Sequence, residues 1–500
     1  MMTLRELLYG MGGVGEAPAL PVSGLCADSR KLEAGQVFLA LPGATHDGRA
    51  HVEEALRRGA SAVVLDAAAG DLSSTAVPVL RLPALAAKLG LIASRYYGAP
   101  SRALRVIGVT GTNGKTSVTH FLAQALSEAV GPTGLIGTLG NGLYGQLTPG
   151  THTTPDALHV QATLAELRDA GARHVAMEVS SHALAQERVA GVEFAAAVFT
   201  NLTRDHLDYH GDLAAYGRAK ARLFSLEGLG EAIVNMDDPF GRALLEEIGD
   251  RVSTWAYGLG DVPWEATHAQ RVRGRHLRMT DSGMRLEVHT PLGQGELRSP
   301  LLGAFNASNL LAACATLLAL GMPLETALAC LSDVRPPPGR MQTLGAEGQP
   351  RVVVDYAHTP DALAQVLSAL RAHLPPEGRL WCVFGCGGER DAGKRPLMGQ
   401  AAESLADVVL LTDDNPRAED GDEIVAQILE GMDAPDRARV ERDRRCAIEQ
   451  AVREATVKDI VLIAGKGHET EQRIGARVLP FSDSEVAQEA LAGWLGEVSA

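Results

Sequence analysis

The sequence predicts an α/β protein built mainly on parallel sheets. Short, continuously apolar and β-branched runs such as Ala62–Asp66 and Ile460–Ala464 alternate with helical patterns along most of the 500 residues. Such runs are typical of parallel strands covered on both faces, and the helical stretches between them indicate βαβ units. The composition agrees, because 46% hydrophobic and 21% charged residues are ordinary values for a globular protein.

Eight apolar runs are predicted to be strands, taken here in chain order. They are Ala62–Asp66, Leu104–Thr110, Val175–Val179, Ala195–Thr200, Val352–Asp355, Leu380–Phe384, Val408–Thr412 and Ile460–Ala464. The stretch Thr254–Arg298 differs, because polar and apolar residues alternate in it. Alternation with period two is typical of half-exposed strands, so we expect an antiparallel patch there.

Two boundaries divide the chain into three predicted domains. The chain turns around Tyr97–Ser101, and Pro336–Gly339 forms a stiff linker, because proline fixes φ and cannot continue a helix. The predicted domains are 1–100, 101–335 and 336–500, with the antiparallel patch in the middle one. A typical domain size of about 150 residues also predicts three domains for this length.

Charge and targeting signals exclude several classes of function. The net charge of −15 and pI of about 5.5 argue against a nucleic-acid partner, which requires a basic surface. The N-terminus carries charges where a signal peptide is apolar, and the longest apolar run, Leu310–Met322, is too short to span a bilayer. The six cysteines form no CxxC pair. We therefore expect a cytoplasmic protein with reduced thiols and no membrane insertion.

The strongest local motif is Val106–Ser117, where a strand enters a Gly-rich turn and then a helix. Glycines let the backbone approach phosphate oxygens, Lys115 can neutralise the β- and γ-phosphates, and the Thr116 hydroxyl can bind Mg²⁺. Strict P-loop spacing would require glycine where Val109 stands, so a plain glycine turn with a surface lysine is the alternative. The predicted nucleotide contacts are Gly111, Thr112, Asn113, Gly114, Lys115, Thr116 and Ser117.

Two further polar segments follow predicted strands of the middle domain. Glu178 stands at the end of one strand, where ligands bind in open α/β sheets, and can bind a hard cation. Asn201 and His206 lie in a loop after the next strand and are candidate nucleotide or metal contacts. A solvent-facing glutamate is the alternative for Glu178, and His210 in the same loop is interpreted as a solvated histidine. Lys220, judged by composition alone, would be a solvated helix lysine.

In the last third, three polar loops leave strands at Phe384–Asp391, Asp413–Arg417 and Ala464–Glu469. Loops at the carboxyl ends of parallel strands line one crevice. Arg390 and Arg417 can bind carboxylates bidentately, and Glu469 can bind an ammonium group. Together they predict an amino-acid site with an additional anionic end, whereas the alternative for each arginine is a weak surface ion pair.

These motifs, in this order along nearly the whole chain, resemble the Mur ligase family of ATP-dependent amide-forming enzymes of peptidoglycan synthesis. The segments that carry the resemblance are Ala27–Arg30, Asp47–Arg49, Thr110–Thr116, Met177–His182, Thr203–Gly211, Gly303–Asn306, Gly339–Met341, Val354–Pro360, Gly385–Gly388, Asp414–Arg417 and Gly465–Glu469. Within the family, they are most similar to enzymes that add the third peptide residue to UDP-N-acetylmuramoyl-L-Ala-D-Glu.

The resemblance implies a smaller N-terminal α/β domain for the uridine nucleotide, a central P-loop ATPase and a C-terminal Rossmann-like domain. It implies UDP-sugar-peptide contacts at Ala27, Ser29, Ala44, Thr45, His46, Thr153, Thr154, Ser180, Gln186 and Arg188. It implies further ATP contacts at Asn306, Arg340 and Asp355. It implies contacts to the incoming amino acid at Arg390, Asp414, Asn415, Pro416, Arg417, Gly465 and Glu469.

The resemblance also implies the metal site and the chemistry. Magnesium would be held by Thr116, Glu178, His206 and Lys220, with Lys220 as N6-carboxylysine, and Lys115, Lys220 and His206 would be catalytic. The D-Glu γ-carboxylate attacks the γ-phosphorus of ATP, which gives an acyl phosphate and ADP. The incoming amine then displaces phosphate to form the amide. The implied cofactors are ATP and Mg²⁺, and the implied substrates are small molecules. We expect a monomer.

The identity of the added amino acid rests on Asp414–Arg417, which resembles the loop selective for meso-2,6-diaminopimelate. Arg417 and Arg390 can hold two carboxylates. A site built to bind a particular group discriminates against analogues that lack this group by a factor of about 10⁴. Arg417 can instead turn toward Glu419, which leaves L-ornithine or L-lysine open. More distant alternatives are a folylpolyglutamate-synthetase-like ligase, which leaves Asp414–Arg417 unexplained, and a P-loop switch or ATP-binding scaffold without ligase activity.

Overall fold

The computed structural model of the chain describes residues 2–12, 17–41, 47–66, 76–260, 268–280 and 282–494. Within them, the backbone forms two compact units. The first contains the described residues of Met1–Ala256, Val262–Gln270 and Ala315–Met322, and the second those of Tyr257–Asp261, Arg271–Cys314 and Pro323–Ala500. The predicted three-domain division stays a prediction.

The first unit contains a small parallel sheet and most of a large one. Its strands are β1 (Leu25–Cys26), β2 (Val37–Ala40), β3 (Ala62–Asp66), β4 (Val79–Leu82), β5 (Arg105–Thr110), β6 (Thr133–Gly137), β7 (Gly140–Leu143), β8 (Gln146–Thr148), β9 (His174–Glu178), β10 (Phe194–Phe199), β11 (Glu231–Asn235) and β12 (Ser253–Gly258). Strands β1 to β4 pair in parallel in chain order. The larger sheet runs β8-β7-β6-β9-β5-β10-β11-β12, with β6 to β11 parallel along that order.

Helices separate these strands and cover them. They are α1 (Leu4–Leu8), α2 (Val52–Arg57), α3 (Leu85–Tyr96), α4 (Lys115–Ala129), α5 (Ala157–Asp169), α6 (Ser181–Ala185), α7 (Leu207–His210), α8 (Leu213–Ala221) and α9 (Pro239–Ile248). Side chains at the helix starts cap free backbone amides: Asp156 accepts from two N–H groups of α5, and Asp238 precedes Pro239 at the start of α9. All residues of β9 and nearly all of β5 are buried, as expected for a parallel sheet covered on both faces.

The second unit contains an antiparallel patch followed by a parallel sheet. Its strands are β13 (Gln270–Thr280), β14 (Gly283–Thr290), β15 (Gly293–Ser299), β16 (Gln342–Leu344), β17 (Arg351–Asp355), β18 (Leu380–Phe384), β19 (Val408–Leu411), β20 (Arg439–Val440), β21 (Ile460–Ala464), β22 (Glu471–Ile474) and β23 (Arg477–Pro480). Strands β13, β14 and β15 pair antiparallel, as predicted. Strands β17-β21-β18-β19-β20 pair in parallel, and β22 and β23 form a hairpin.

The helices of this unit follow its strands in alternation. They are α10 (Ala304–Ala319, of which the first eleven residues belong to this unit), α11 (Leu324–Asp333), α12 (Pro360–Arg371), α13 (Lys394–Leu405), α14 (Gly421–Leu429), α15 (Arg444–Glu454) and α16 (Asp483–Ala492). An ion pair between two fully buried side chains, Arg444 and Asp483, joins the starts of α15 and α16 at 2.7 Å. The mixed α/β fold class predicted from the sequence is confirmed.

Two expectations about the whole chain concern cysteines and membrane spans. None of the six cysteines forms a disulfide in the structure, and five of them are buried; their reduced state stays a prediction. Among the described residues, no helix has the length and apolarity needed to cross a bilayer.

Candidate active site

The Gly-rich turn between β5 and α4 gathers backbone amides at a helix N-terminus. Gly111 has φ +150° and Gly114, which precedes α4, has φ +86°, and glycine adopts such angles readily. A Cβ on Gly111 would lie 1.9 Å from Thr200 Oγ1. The neighbouring loop fixes the turn, because Asn113 N–H donates to Asn201 Oδ1 at 2.9 Å. The motif therefore has the strand–turn–helix geometry that suits a phosphate group. Asn201 stabilises the turn through its hydrogen bond with Asn113.

Replacing Gly111 by alanine is expected to distort this turn and weaken ATP binding. Relieving the contact with Thr200 must shift the backbone amides, and strain of this kind costs about 1–3 kcal/mol. We expect the KM for ATP to rise about 10- to 100-fold, measured by phosphate release. Gly131→Ala is the matched control, because Gly131 has φ +123° but no atom within 4 Å of an added Cβ. Equal KM values for both variants would contradict this account.

Two lysine side chains converge on the carbonyl oxygen of Gly111. Lys115 Nζ donates to it at 2.9 Å and Lys220 Nζ at 2.8 Å. Lys220 is only 1% exposed, and its Nζ lies 4.2 Å from the ring centroid of Tyr216. Burial, and then the charge of Lys115, lower the pKa of Lys220 well below its ordinary value. This environment favours the uncharged amine, the form that can react with carbon dioxide to give a carbamate.

Glu178 lies at the end of β9 inside a cluster of oxygen atoms. Its side chain is fully buried, and its Oε2 accepts hydrogen bonds from Thr116 Oγ1 at 3.0 Å and Thr138 Oγ1 at 3.2 Å. Its Oε1 accepts from the Thr138 N–H at 2.8 Å. A carboxylate with two hydroxyl groups matches the oxygen ligands that Mg²⁺ prefers. Two predicted metal ligands, Thr116 and Glu178, are thus brought together.

His206 has a different set of neighbours. It precedes α7 with φ +53°, and its exposed ring lies 4.8 Å from that of His182 and 6.1 Å from that of Tyr216. The same Tyr216 ring lies 4.2 Å from Lys220 Nζ. Among the described residues, no three His, Cys, Asp or Glu side chains form a group that could hold a metal ion. The metal role of His206 therefore stays a prediction.

Five of the ten residues predicted to contact the UDP-sugar-peptide form a connected network: Thr153, Thr154, Ser180, Gln186 and Arg188. Ser180 N–H donates to Thr154 Oγ1 at 3.0 Å, and Arg188 Nη1 donates to Thr154 O at 2.8 Å. Arg188 also donates through Nε to Gln186 Oε1 at 2.9 Å. Thr153 Oγ1 lies 3.0 Å from Thr138 Oγ1 in the oxygen cluster just described. The network thus joins the metal-ligand candidates, although its role in binding stays a prediction.

The other five predicted UDP-sugar-peptide contacts lie in the N-terminal part of the chain, and the structure describes two of them. Ser29 is 4% exposed, and its Oγ donates to a carboxylate of α2 at 2.6 Å. Ala27 is half-buried beside β1. Ala44, Thr45 and His46 lie outside the described residues.

In the second unit, Asp355 and Arg340 lie in neighbouring backbone segments. Asp355 accepts from Met341 N–H at 2.7 Å and from Ala357 N–H at 2.8 Å, and burial raises its pKa. Arg340 lies over the ring of Tyr356, 4.8 Å from its centroid. Arg340 Nε is buried and finds no hydrogen-bond partner within the described ranges. A buried donor without a partner suits a ligand contact.

Asn306 is engaged by its own helix. Its Nδ2 donates to Leu302 O at 2.9 Å, and its Oδ1 accepts from Asn309 Nδ2 at 3.2 Å. These bonds stabilise the first turn of α10. Its predicted contact with ATP stays a prediction.

The loops that follow β19 and β21 meet beside the parallel sheet. Asn415 Nδ2 donates to Glu469 Oε2 at 2.8 Å. A Cβ on Gly465 would lie 2.5 Å from Asp414 Oδ2, so the two loops approach closely only with glycine there. Asp414 and Pro416 are buried, and burial raises the pKa of Asp414. Six of the seven predicted amino-acid contacts, all except Arg390, therefore lie in one pair of joined loops.

Arg417 and Arg390 differ in how they are held. Arg417 has φ +54°, and its Nη1 donates to Gly388 O at 2.6 Å. Glu419 instead pairs with Arg395 at 2.8 Å, so Arg417 does not take the pairing with Glu419 considered as an alternative. Arg390 is exposed in the loop after β18. The Arg417 side chain thus lies against the glycines of that loop.

Lys466 and the β22–β23 hairpin were not predicted from the sequence. Arg473 N–H donates to Asn415 Oδ1 at 2.9 Å, Arg417 N–H donates to Arg473 O at 3.0 Å, and Gly475 N–H donates to Arg417 O at 2.6 Å. Lys466, which is fully buried, bonds to the same loop. A lysine between two glycines directly after a buried strand was the signal that could have identified it, whereas the hairpin contacts use backbone atoms and leave no signal.

Comparisons with known proteins place these features in one family. Family models match residues 21–97 (Mur ligase family, catalytic domain), 109–317 (Mur ligase middle domain) and 339–467 (Mur ligase, glutamate ligase domain). Proteins named UDP-N-acetylmuramoyl-L-alanyl-D-glutamate--2,6-diaminopimelate ligase are similar over most of their length. The one from Alkalilimnicola ehrlichii is 51% identical, covering 98% of this chain and 99% of its own, and the one from Pseudomonas aeruginosa is 53% identical, covering 94% and 95%. A solved structure titled with the same ligase name is 37% identical, covers 99% of each chain and has a TM-score of 0.75.

Proposed function

The chain belongs to the Mur ligase family, and on that premise we propose that it joins meso-2,6-diaminopimelate to UDP-N-acetylmuramoyl-L-Ala-D-Glu with ATP. The names of its relatives specify this amino acid. The observation that carries the proposal is the pair of joined loops with Asn415, Glu469 and Arg417. They offer a cation for the distal carboxylate and a carboxylate for an ammonium group.

In this proposal, the turn at Gly111–Thr116 binds the ATP phosphates. The helix N-terminus and Lys115 offset their negative charge, which would otherwise repel the approaching D-Glu γ-carboxylate. That carboxylate attacks the γ-phosphorus, so an acyl–phosphate bond forms and the bond to ADP breaks. The amine then attacks the acyl carbon, phosphate leaves, and the amine loses a proton. Arg188, which donates to Thr154 and Gln186, would orient the sugar-peptide.

Magnesium fits the oxygen cluster of the first unit. Thr116 and Glu178 would hold it, with His206 and with Lys220 as N6-carboxylysine, because a carbamate adds oxygen donors where a lysine has none. When bound, Mg²⁺ supplies positive charge that screens the phosphate groups. A monomeric state and a cytoplasmic location stay predictions.

One assay tests the proposed reaction. The protein is incubated with ATP, Mg²⁺, UDP-N-acetylmuramoyl-L-Ala-D-Glu and, separately, meso-diaminopimelate, L-lysine or L-ornithine, and phosphate release and product mass are measured. We expect release and the tripeptide product with diaminopimelate, and turnover at least about 10³-fold lower with the other two. Turnover with L-ornithine alone would overturn the amino-acid assignment, and turnover only with a folate substrate would overturn the whole proposal.

A further inference from the structure

Lys466 is a fully buried lysine to which the proposed chemistry assigns no part. It lies between Gly465, with φ +114°, and Gly467, with φ +54°. These left-handed angles turn the backbone directly after β21. The Lys466 side chain is 0% exposed, so its ammonium group requires acceptors inside the protein.

The three ammonium hydrogens of Lys466 have three acceptors. Its Nζ donates to Glu469 Oε2 at 2.9 Å, to Asn415 Oδ1 at 3.2 Å and to Glu471 O at 2.7 Å. A lysine has three N–H donors and no acceptor, so this set uses all its capacity. The acceptors come from the loop after β19, the loop after β21 and the first residue of β22. One side chain thus joins three segments.

This arrangement fixes the orientation of two predicted substrate contacts. Because Asn415 Oδ1 accepts from Lys466 and from Arg473 N–H, its Nδ2 must face Glu469, to which it donates at 2.8 Å. Glu469 Oε2 is then occupied twice, whereas Oε1 receives no hydrogen bond from any described residue. One amide hydrogen and one carboxylate oxygen remain for a ligand. A donor beside an acceptor matches the carboxylate and ammonium groups of an amino acid.

Lys466 also favours the ionised form of the Glu469 carboxyl group. Burial opposes ionisation of Glu469, but the nearby charge and hydrogen bond of Lys466, together with the bond from Asn415, outweigh it and lower the pKa of Glu469. The carboxylate therefore stays ionised in a half-buried position. An ionised Glu469 is required if it is to hold an ammonium group.

We infer that Lys466 is a positioning residue for the incoming diamino acid, acting by holding Asn415 and Glu469 in their binding orientation. The inference rests on the proposed function, because it assigns those two residues to the amino-acid site. Lys466 itself has all its donors occupied and does not contact the substrate. Its loss therefore acts on amino-acid binding and leaves the phosphate turn of the first unit unchanged.

The test combines Lys466→Met and Glu469→Gln, singly and together, in the phosphate-release assay. We expect Lys466→Met to raise the KM for diaminopimelate at least about tenfold, with the KM for ATP within about twofold of the unmodified enzyme. In the Glu469→Gln background the same change is expected to raise the KM for diaminopimelate clearly less, because the charge pair with Glu469 is gone and only the bond to Asn415 remains to be lost. Lys458→Met, a surface lysine paired with Glu377, is the charge-matched control.

Several outcomes would overturn the inference. Equal effects of Lys466→Met in both backgrounds would show that Lys466 acts independently of Glu469, and a parallel rise in the KM for ATP would show a general structural defect. If Lys466→Met does not fold, Lys466→Gln, which keeps a donor but loses the charge, is measured in both backgrounds; a smaller rise in the KM for diaminopimelate is expected, again weaker in the Glu469→Gln background. An unmodified enzyme that releases no phosphate with diaminopimelate would instead overturn the proposed function.

Discussion

Lys220→Ala is expected to reduce turnover by about 10³-fold, the loss that follows removal of a preorganised electrostatic group. The variant removes the amine that donates to Gly111 O at 2.8 Å and with it the proposed carbamate. Because Lys220 is buried against Tyr216, the substitution leaves a space next to the phosphate turn. Bicarbonate added to the assay brings a small anion to that space and is expected to restore about a tenth of the lost activity.

The role of carboxylation can be separated from the role of the amine. The intact mass of the protein without substitutions, measured under native conditions in bicarbonate, is expected to exceed the sequence mass by the mass of one carbon dioxide. The Lys220→Ala variant is expected to lack this additional mass. Lys458→Ala, at the surface, is the control that keeps both mass gain and activity. Full activity of Lys220→Ala without bicarbonate would remove Lys220 from the site.

Arg417→Ala is expected to lower kcat/KM for diaminopimelate by about 10²- to 10³-fold, because truncating one partner of a desolvated charge pair costs roughly 2–5 kcal/mol. The Arg417 guanidinium lies against Gly388 O and does not pair with Glu419, so it stays available for a carboxylate of the substrate. The same variant is expected to narrow the preference for diaminopimelate over L-lysine, which lacks the distal carboxylate. Both ratios come from phosphate release at varied amino-acid concentration.

Arg473→Ala is the matched control for Arg417→Ala. The Arg473 side chain is exposed and pairs with Glu471, whereas the backbone of Arg473 holds the loop of Asn415 and Arg417. Its truncation removes a nearby cation but keeps the backbone bonds, so kcat/KM should stay within about twofold. An equal loss in both variants would mean that general positive charge, and not Arg417, carries the selectivity.

The strands could be predicted from the sequence because parallel strands are buried on both faces. Predicted runs at Ala62–Asp66, Leu380–Phe384 and Ile460–Ala464 coincide with β3, β18 and β21. The short strands β22 and β23 were not predicted, because they are not buried on both faces. The hairpin β22–β23 is largely exposed, so its hydrophobic pattern is weak.

Some residues of the candidate site could likewise be predicted from the sequence, and others could not. The Gly111–Lys115 turn and the Asp414–Arg417 loop could be found because glycine, lysine and arginine stand at strand ends. Lys220 could not be found from the residues alone, because a helix lysine looks solvated until Tyr216 and the Gly111 carbonyl are seen beside it. Lys466 escaped because its burial depends on the folding of three separate segments around it.

The backbone angle of Arg417 limits how the amino-acid preference of this enzyme can be redesigned. A residue with φ +54° must tolerate a conformation that asparagine, aspartate and histidine enter several-fold more often than most side chains and that β-branched residues avoid. A variant library at position 417 therefore needs only a reduced set of amino acids, from which valine, isoleucine and threonine can be omitted. Assaying these variants with several diamino acids would show which of them the enzyme can use as substrates while the backbone at position 417 keeps this conformation.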